Sequence, residues 1–414
     1  MDPAILSDEV RAALERIGTA DLVVGLATAG PIPALGTVAA AVRAGFDTHF
    51  VGQSVAVVHV DQAPAEATPA AVAAAFGDLR VVPVTAPGPG RAGDEALDWA
   101  AAVRAVLTAG RMLQARAIIM LNADLSSMTP EWLRGLAGPV VKEDYGLVLP
   151  IYRRYRYDGT LTHALVVPLM RSLFGRQLAH PLAEEFACSG PAAETFLKQP
   201  VWETDLGRSG LEFWLPATAI EQGLTICQAV LGQRTVAASA RPPSPLGRTV
   251  GRVAGALFAL AERSETFWLD IRGSEAVISF GVPPEPLPGG PAVDPSLMQV
   301  GFVQGVRDLL PVWERILAPD NLGEVLELSD RTLDRFRISD RLWTRVVYDF
   351  LLAYRARVVY RSHAAQSLAP LYLGRAASVI METQARPPAA LSQSAARLGG
   401  MFEEEKAYLV DRWR

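Results

Sequence analysis

The sequence predicts an α/β fold with a largely parallel sheet over residues 1–240, followed by an all-helical domain over 245–414. Three observations point there. Short β-branched runs alternate with Ala-rich helical stretches through the first half, the pattern of βαβ units. Arg241-Pro242-Pro243-Ser244-Pro245 then breaks that pattern. Beyond it, apolar residues such as Leu342, Val346, Phe350 and Leu351 recur near helical period. A chain of 414 residues is also too long for one ordinary core, so two domains are the expectation.

The elements follow in order. Ser7–Ile17 reads as an amphipathic helix with acids early, and no signal peptide is expected from it. Asp21–Leu26 is a strand and Ile32–Ala44 its helix; Ser54–Val60 is a second strand ending at Asp61, with a helix over Pro69–Phe76. Leu79–Val84 is a third strand, and Ala86–Gly93 is too rich in Pro and Gly for helix or sheet. Glu95–Leu113 is a long helix leading to Ile118–Leu121, a continuous apolar run of the kind that a strand buried on both faces requires. That strand runs into Asn122-Ala123-Asp124, and an acid at its carboxyl end stands where open α/β sheets bind ligands. Leu147–Pro150 is the next strand. Leu246–Glu262, Asp294–Leu317, Arg341–Leu373 and Leu391–Trp413 read as helical, with a Pro/Gly-rich loop at Pro283–Pro291.

Composition excludes several classes. Half the residues are hydrophobic and a fifth charged, a globular balance, and the net charge of −5 argues against a general nucleic-acid binder. Two cysteines, Cys188 and Cys227, make neither a disulfide framework nor a zinc cluster, so a cytoplasmic setting is expected. Cys188 reads as a buried structural thiol and His59 as a core histidine. No run of 18 apolar residues is present, so no membrane span is expected. Phe402-Glu403-Glu404-Glu405-Lys406 reads as a solvated helix face.

Several further stretches carry a resemblance: Thr129-Pro130-Glu131-Trp132 with Gly138-Pro139-Val140, Pro150-Ile151-Tyr152-Arg153-Arg154, Tyr157-Asp158-Gly159-Thr160, Pro181-Leu182-Ala183-Glu184-Glu185-Phe186, Gly210-Leu211-Glu212 and Leu371-Tyr372-Leu373-Gly374-Arg375. With Asn122–Leu125, and in this order, they resemble the retaining glycosyltransferases that make glucosyl-3-phosphoglycerate, mannosylglycerate and related solutes. The resemblance implies a GT-A (Rossmann-like) nucleotide-sugar domain with a helical C-terminal domain. It implies a hexose moved from a nucleoside diphosphate sugar to a small hydroxyl acceptor of glycerate type, with Mg²⁺ or Mn²⁺ on the diphosphate.

Carried over residue by residue, the resemblance puts Ala27, Asp61, Arg91 and Asp124 at the nucleotide sugar, with Asp124 also the metal ligand. It puts Arg153, Arg154, Thr160 and Thr162 at the acceptor, and Glu185 and Glu212 at the reacting sugar. Read by themselves, Arg153, Arg154, Arg156 and Tyr157 form the densest basic-aromatic cluster in the chain, suited to an anionic acceptor. The donor side departs from the pattern. Asn122 replaces the first acid of an Asp-x-Asp pair, Val236 stands where a metal-ligating histidine is expected, and Arg91-Ala92-Gly93-Asp94 lacks the usual lysine. Two readings therefore follow: a working transferase, or a catalytically silent relative with a structural, regulatory or partner-binding role. The aromatic-rich last third, including Trp343, Tyr348, Phe350, Tyr354, Tyr360, Leu371 and Tyr372, exceeds what one helical layer readily buries. A homo-oligomer, or pairing with a paralogue, is expected from it.

Overall fold

In the computed structural model, residues 5–29, 32–62, 68–86, 98–236, 245–282, 284–287 and 289–414 are described. Among the described residues ten strands appear: β1 (Leu22–Thr28), β2 (Val55–Asp61), β3 (Arg80–Thr85), β4 (Ala117–Asn122), β5 (Leu147–Arg153), β6 (Arg176–Gln177), β7 (Phe186–Ser189), β8 (Ile226–Gln233), β9 (Glu275–Ala276) and β10 (Ser279–Phe280). The chain forms two compact units. The first comprises Met1–Arg153, Leu182–Ala240 and Val277–Pro284; the second comprises Arg154–Pro181, Arg241–Ala276 and Glu285–Arg414.

The first unit is an eight-stranded sheet in the order β10-β8-β5-β7-β4-β1-β2-β3. All pairings are parallel except those of β7, which runs antiparallel to both β4 and β5. Every residue of β1 and β2 is buried, the requirement for strands covered on both faces. On one face Leu22, Val24 and Leu26 pack with Val38, Val42 and Phe46 of the helix Leu35–His49 and with Trp132, Leu133 and Leu136 of the helix Pro130–Glu143. On the other face Gly25 lets the helix Trp99–Met112 press close. A Cβ there would lie 2.4 Å from Val106 Cγ1, so only glycine permits this approach.

The second unit is built from the helices Val167–Phe174, Leu246–Arg263, Pro295–Ile316, Asp340–Ala356, Ala369–Thr383, Ala389–Glu404 and Lys406–Trp413, with shorter ones between. The expected run Arg341–Leu373 is three helices, not one. Arg357 takes a left-handed conformation (φ 55°) that stops the first, and Pro370 sits in the first turn of the third, where its missing N–H is harmless. The C-terminal region is helical as expected, with two two-residue strands added. Glu275–Ala276 pairs with Arg176–Gln177, and Ser279–Phe280 joins the first unit's sheet beside β8.

Two surface expectations are also overturned. Phe402 is fully buried, Glu403 holds Arg171 at 2.8 Å, and the Lys406 ammonium donates to the carbonyls of Ser172 (2.7 Å), Trp268 (2.8 Å) and Ile271 (3.0 Å). That stretch is an internal clamp rather than a solvated face, because a buried ammonium must find acceptors. The aromatic surplus is absorbed inside the second unit as well. Trp343, Tyr348, Phe350, Tyr354, Leu371 and Tyr372 are buried, leaving Tyr360 at 83% exposure. Among the described residues, no helix is long and apolar enough to cross a membrane.

Candidate functional site

Strands β1, β2, β3, β4, β5 and β8 run parallel and end at one edge of the sheet. From β1 the chain winds outward through β2 and β3, then returns to place β4 on the other side of β1. The gap between the carboxyl ends of β1 and β4 is thus a topological switch point, the position where open sheets leave a ligand crevice. The register brings the sequence candidates together there. Ala27 lies opposite both Val60 and Asn122, and Thr28 lies opposite Asp61. Ala27 is buried and offers backbone rather than side chain; Asp61 is 4% exposed, and its carbonyl accepts from the Ala86 amide at 3.1 Å. Beside it, His59 Nε2 shares a hydrogen bond with Thr28 Oγ1 at 2.9 Å, and burial lowers the imidazole below its ordinary value. That is the core histidine its strand position suggested.

Asp124 follows β4 in a turn that the sequence builds locally. Asn122 Oδ1 accepts from the Asp124 amide at 2.8 Å, a bond that spends its amide oxygen on the backbone. The turn is laced to the segment after β8: Leu125 bridges Val236, the Ser126 amide donates to the Thr235 carbonyl at 3.0 Å, and the Thr235 amide donates to Ser127 Oγ at 2.8 Å. Ser126 and Ser127 therefore tie the turn to Thr235, rather than serving a local cap of Asp124. Burial raises the Asp124 carboxyl, while the backbone amide of Ala34, at the start of the helix Leu35–His49, pulls it down. Its Oδ1 is buried without a hydrogen-bond partner among the described residues.

This donor set does not fit a tightly held divalent cation. Mg²⁺ and Mn²⁺ want several hard oxygens, and among the described residues the Asp124 turn itself offers one carboxylate. Asn122 is already engaged, and Val236, across the bridge from the Asp124 turn, has no ligand atom. Among the described residues no group of three His, Cys, Asp or Glu stands within reach of one ion.

Glu185 precedes β7, and because β7 runs antiparallel its first residue, Phe186, lies opposite Met120 near the same sheet edge. It is fully buried. Arg234 grips it bidentately, Nε to Oε2 at 2.9 Å and Nη2 to Oε1 at 3.0 Å, and Tyr152 Oη donates to the same Oε2. The register between β5 and β8 slips by one residue at Ile151/Tyr152, opposite Gly232 at φ 86°, and a slip of this kind re-aims the side chain that follows it. Burial and then the Glu185 charge push the Tyr152 phenol well above its ordinary value. Burial works against the Arg234 cation, but Glu185 and then Glu184 more than offset it and hold the guanidinium above its usual range. Glu185 is therefore a held carboxylate rather than an open catalytic one. Arg234 and Tyr152, which carry it, were given no role in the sequence. Their separations from Glu185 of 49 and 33 residues leave no local pattern to read. Glu212 is half-buried, two residues after a break in its helix at Gly210, and its carbonyl accepts from the Ala183 amide at 2.9 Å.

Arg153 closes β5 in the first unit, whereas Arg154, Thr160 and Thr162 belong to the second. Arg154 Nη2 meets His180 Nε2 at 3.1 Å, Thr160 Oγ1 meets Tyr372 Oη at 2.6 Å, and Thr162 opens a π-helical turn, Thr162–Val166. Arg156 donates to the carbonyls of Thr383 and Arg386, and Tyr157 Oη meets Thr383 Oγ1 at 3.2 Å. Those two residues of the basic-aromatic cluster thus secure the end of the helix Ala369–Thr383. Arg91 lies outside the described residues. Cys188 is fully buried and its thiol is pushed up by burial, as a structural thiol should be.

No protein-family model matches the chain, and no curated protein matches it. Among solved structures it is similar to glucosyl-3-phosphoglycerate synthase from Mycobacterium tuberculosis in complex with Mn²⁺, uridine diphosphate and glucosyl-3-phosphoglycerate, at 21% identity, with 62% of this chain and 82% of that chain covered and a TM-score of 0.43. The same enzyme with Mg²⁺ and uridine diphosphate gives 21%, 62%, 82% and 0.42. A structure described as a mycobacterial protein gives 21%, 62%, 77% and 0.43. Likeness at these values assigns neither a family nor an activity.

Proposed function

We propose that this protein is a glycosyltransferase that moves a hexose from a nucleoside diphosphate sugar to a small hydroxyl acceptor, with the donor held at the β1/β4 crevice. The observation that carries this reading is Asp124, whose buried Oδ1 lacks a donor among the described residues at the switch point of an open sheet. Such an oxygen is costly until it accepts a hydrogen bond. With too few hard ligands for a cation, the groups that suit it are hydroxyls, which the ribose and hexose of a nucleotide sugar supply. Glu185, gripped by Arg234, acts on this reading as a positioning residue that fixes the β7 end of the edge, and the resemblance assigns Glu212 to the reacting sugar. Arg153, at the end of β5 in the first unit, supplies a cation that suits an acidic acceptor.

A second reading, a silent relative that binds the nucleotide sugar without turning it over, is favoured by one observation: Val236 and the engaged Asn122 leave the diphosphate without a protein-held cation. Calorimetric titration with UDP and GDP sugars tests both. Binding of one class is expected, changed less than about threefold by chelator and weakened about tenfold or more by Asp124→Ala, a loss near 1.4 kcal/mol. No binding of either class would end the donor reading. Binding without transfer to any glycerate-type acceptor would select the silent one.

A further inference from the structure

The second unit carries an arginine-lined groove that neither the proposed reaction nor the core of that unit uses. Two neighbouring cavities, of about 690 and 730 Å³, share Arg315 and Val358. They run from Arg412 and Arg414, past the end of the helix Asp340–Ala356, to Tyr360 and His363. Arg315, Arg357, Arg412 and Arg414 are exposed along it, and Arg355 and Arg361 are half-buried. One carboxylate lines it, Asp349, and that group is already engaged by Asn321 (2.7 Å), Tyr408 (2.6 Å) and the Ala318 amide (2.9 Å). Between the arginines lie half-buried Val312, Val358 and Val359 and the exposed ring of Tyr360.

A structural duty explains only part of this set. Arginines near helix C-termini satisfy end carbonyls and complement the helix dipole. Arg315 does so at Val358, Arg355 at Trp413 and Arg412 at Tyr408, while Arg355 and Arg361 also pair with Glu265 and Glu262. Arg357 does not fit that account. It holds a left-handed conformation that costs an L residue of its kind about 1 kcal/mol and that glycine would take freely. Its guanidinium is exposed on the groove. The left-handed backbone caps the helix Asp340–Ala356, with its amide donating to the Ala353 and Tyr354 carbonyls, and leaves the side chain on the groove.

We propose that this groove binds an extended acidic peptide segment of a partner protein, with carboxylates on Arg315, Arg357, Arg412 and Arg414 and an apolar side chain against Val358 and Tyr360. Together the two cavities exceed the roughly 300–1,000 Å³ typical of a small-molecule site. Exposed Arg315 and Arg357 line the same cavity as Tyr360, and arginine beside an aromatic is a composition enriched in binding hot spots. A protein of net charge −5 that gathers four exposed guanidiniums along one groove is set up for an anionic partner.

The test is fluorescence anisotropy of the full chain with a labelled peptide alternating Glu and Leu, beside a Lys/Leu peptide and a single-stranded oligonucleotide of matched charge. The Glu/Leu peptide is expected to bind best and to weaken several-fold from low to physiological salt. The variant carrying Arg357→Gly and Arg414→Gln is expected to bind about tenfold or more weakly while unfolding at an unchanged or higher temperature, because glycine relieves the left-handed position. Equal binding of the Lys/Leu peptide, unchanged affinity in that variant, or tighter binding of the oligonucleotide would each overturn the proposal. None of these outcomes touches the nucleotide-sugar reading, which concerns the first unit.

Discussion

At the scale of single residues, a carboxylate with no exposed surface is tolerable only while its cation stays. Glu185 is such a group, and Arg234 is its cation. Arg234→Ala leaves it buried with Tyr152 alone, and a loss of about 3–5 kcal/mol is expected in urea unfolding; a change under 1 kcal/mol would mean that the pair is not held as described. At Asp124, the bridge between Leu125 and Val236 makes a rebuilt metal site testable. Asn122→Asp with Val236→His adds an acid and an imidazole beside the turn, so Mn²⁺ affinity by calorimetry is expected to rise about tenfold or more over the parent chain. An unchanged isotherm would show that these positions do not converge. His59 and His163 give a pH dependence. Burial lowers both below the ordinary imidazole value, so the unfolded chain takes up the protons first as pH falls. Their contribution is complete above about pH 6.5 and is lost below it, by at most about 1.4 kcal/mol per pH unit for each. Urea unfolding between about pH 8 and pH 5 reads this slope, which His59→Gln should flatten.

At the scale of elements, the regular pieces of the first unit were readable because their burial is regular. The apolar run before Asn122 is β4, and the Ser54–Val60 run is β2 within a residue at each end. Both β8 and β7 fall outside the strands legible in the sequence, and β7 is the harder of the two. Four residues, Phe186-Ala187-Cys188-Ser189, carry too little periodicity to declare a strand, and they join the sheet only because β4 and β5 leave a gap that they fill. The stretch Phe402–Lys406 differs from its sequence reading for a related reason. Three acids and a lysine in sequence read as solvated, yet the Lys406 ammonium closes three carbonyls in the second unit. Burial and then the charge of Arg272 bring it down to about 8, still protonated at neutral pH. Lys406→Met removes all three bonds and strands their acceptors, and a loss of about 3 kcal/mol or more is expected by denaturation. A neutral substitution would mean that water replaces the ammonium.

At the scale of the whole molecule, the chain passes between its two units more than once. Arg154–Pro181 belongs to the second unit although the sequence places it within the first 240 residues, and Val277–Pro284 belongs to the first. A fragment ending near Arg241 would carry Leu165, Leu169, Leu173 and Phe174 without the helices that bury them, and would leave β8 without β10. It is expected to aggregate or to bind a hydrophobic dye strongly, with no cooperative urea transition. A cooperative, soluble fragment would show that those residues can find cover in the first unit.

The sequence by itself determined the periodic elements, the half-kept metal motif at Asn122-Ala123-Asp124 and the absence of a ligand atom at Val236, since these depend on residue type and near neighbours. Tertiary structure alone decided which groups face one another. It placed Val236 opposite Leu125, buried Glu185 on Arg234 and Tyr152, turned the aromatic surplus inward and left Arg357 exposed on a groove. Pairings across dozens of residues are set by strand order and packing, which leave no mark in the local pattern of a chain.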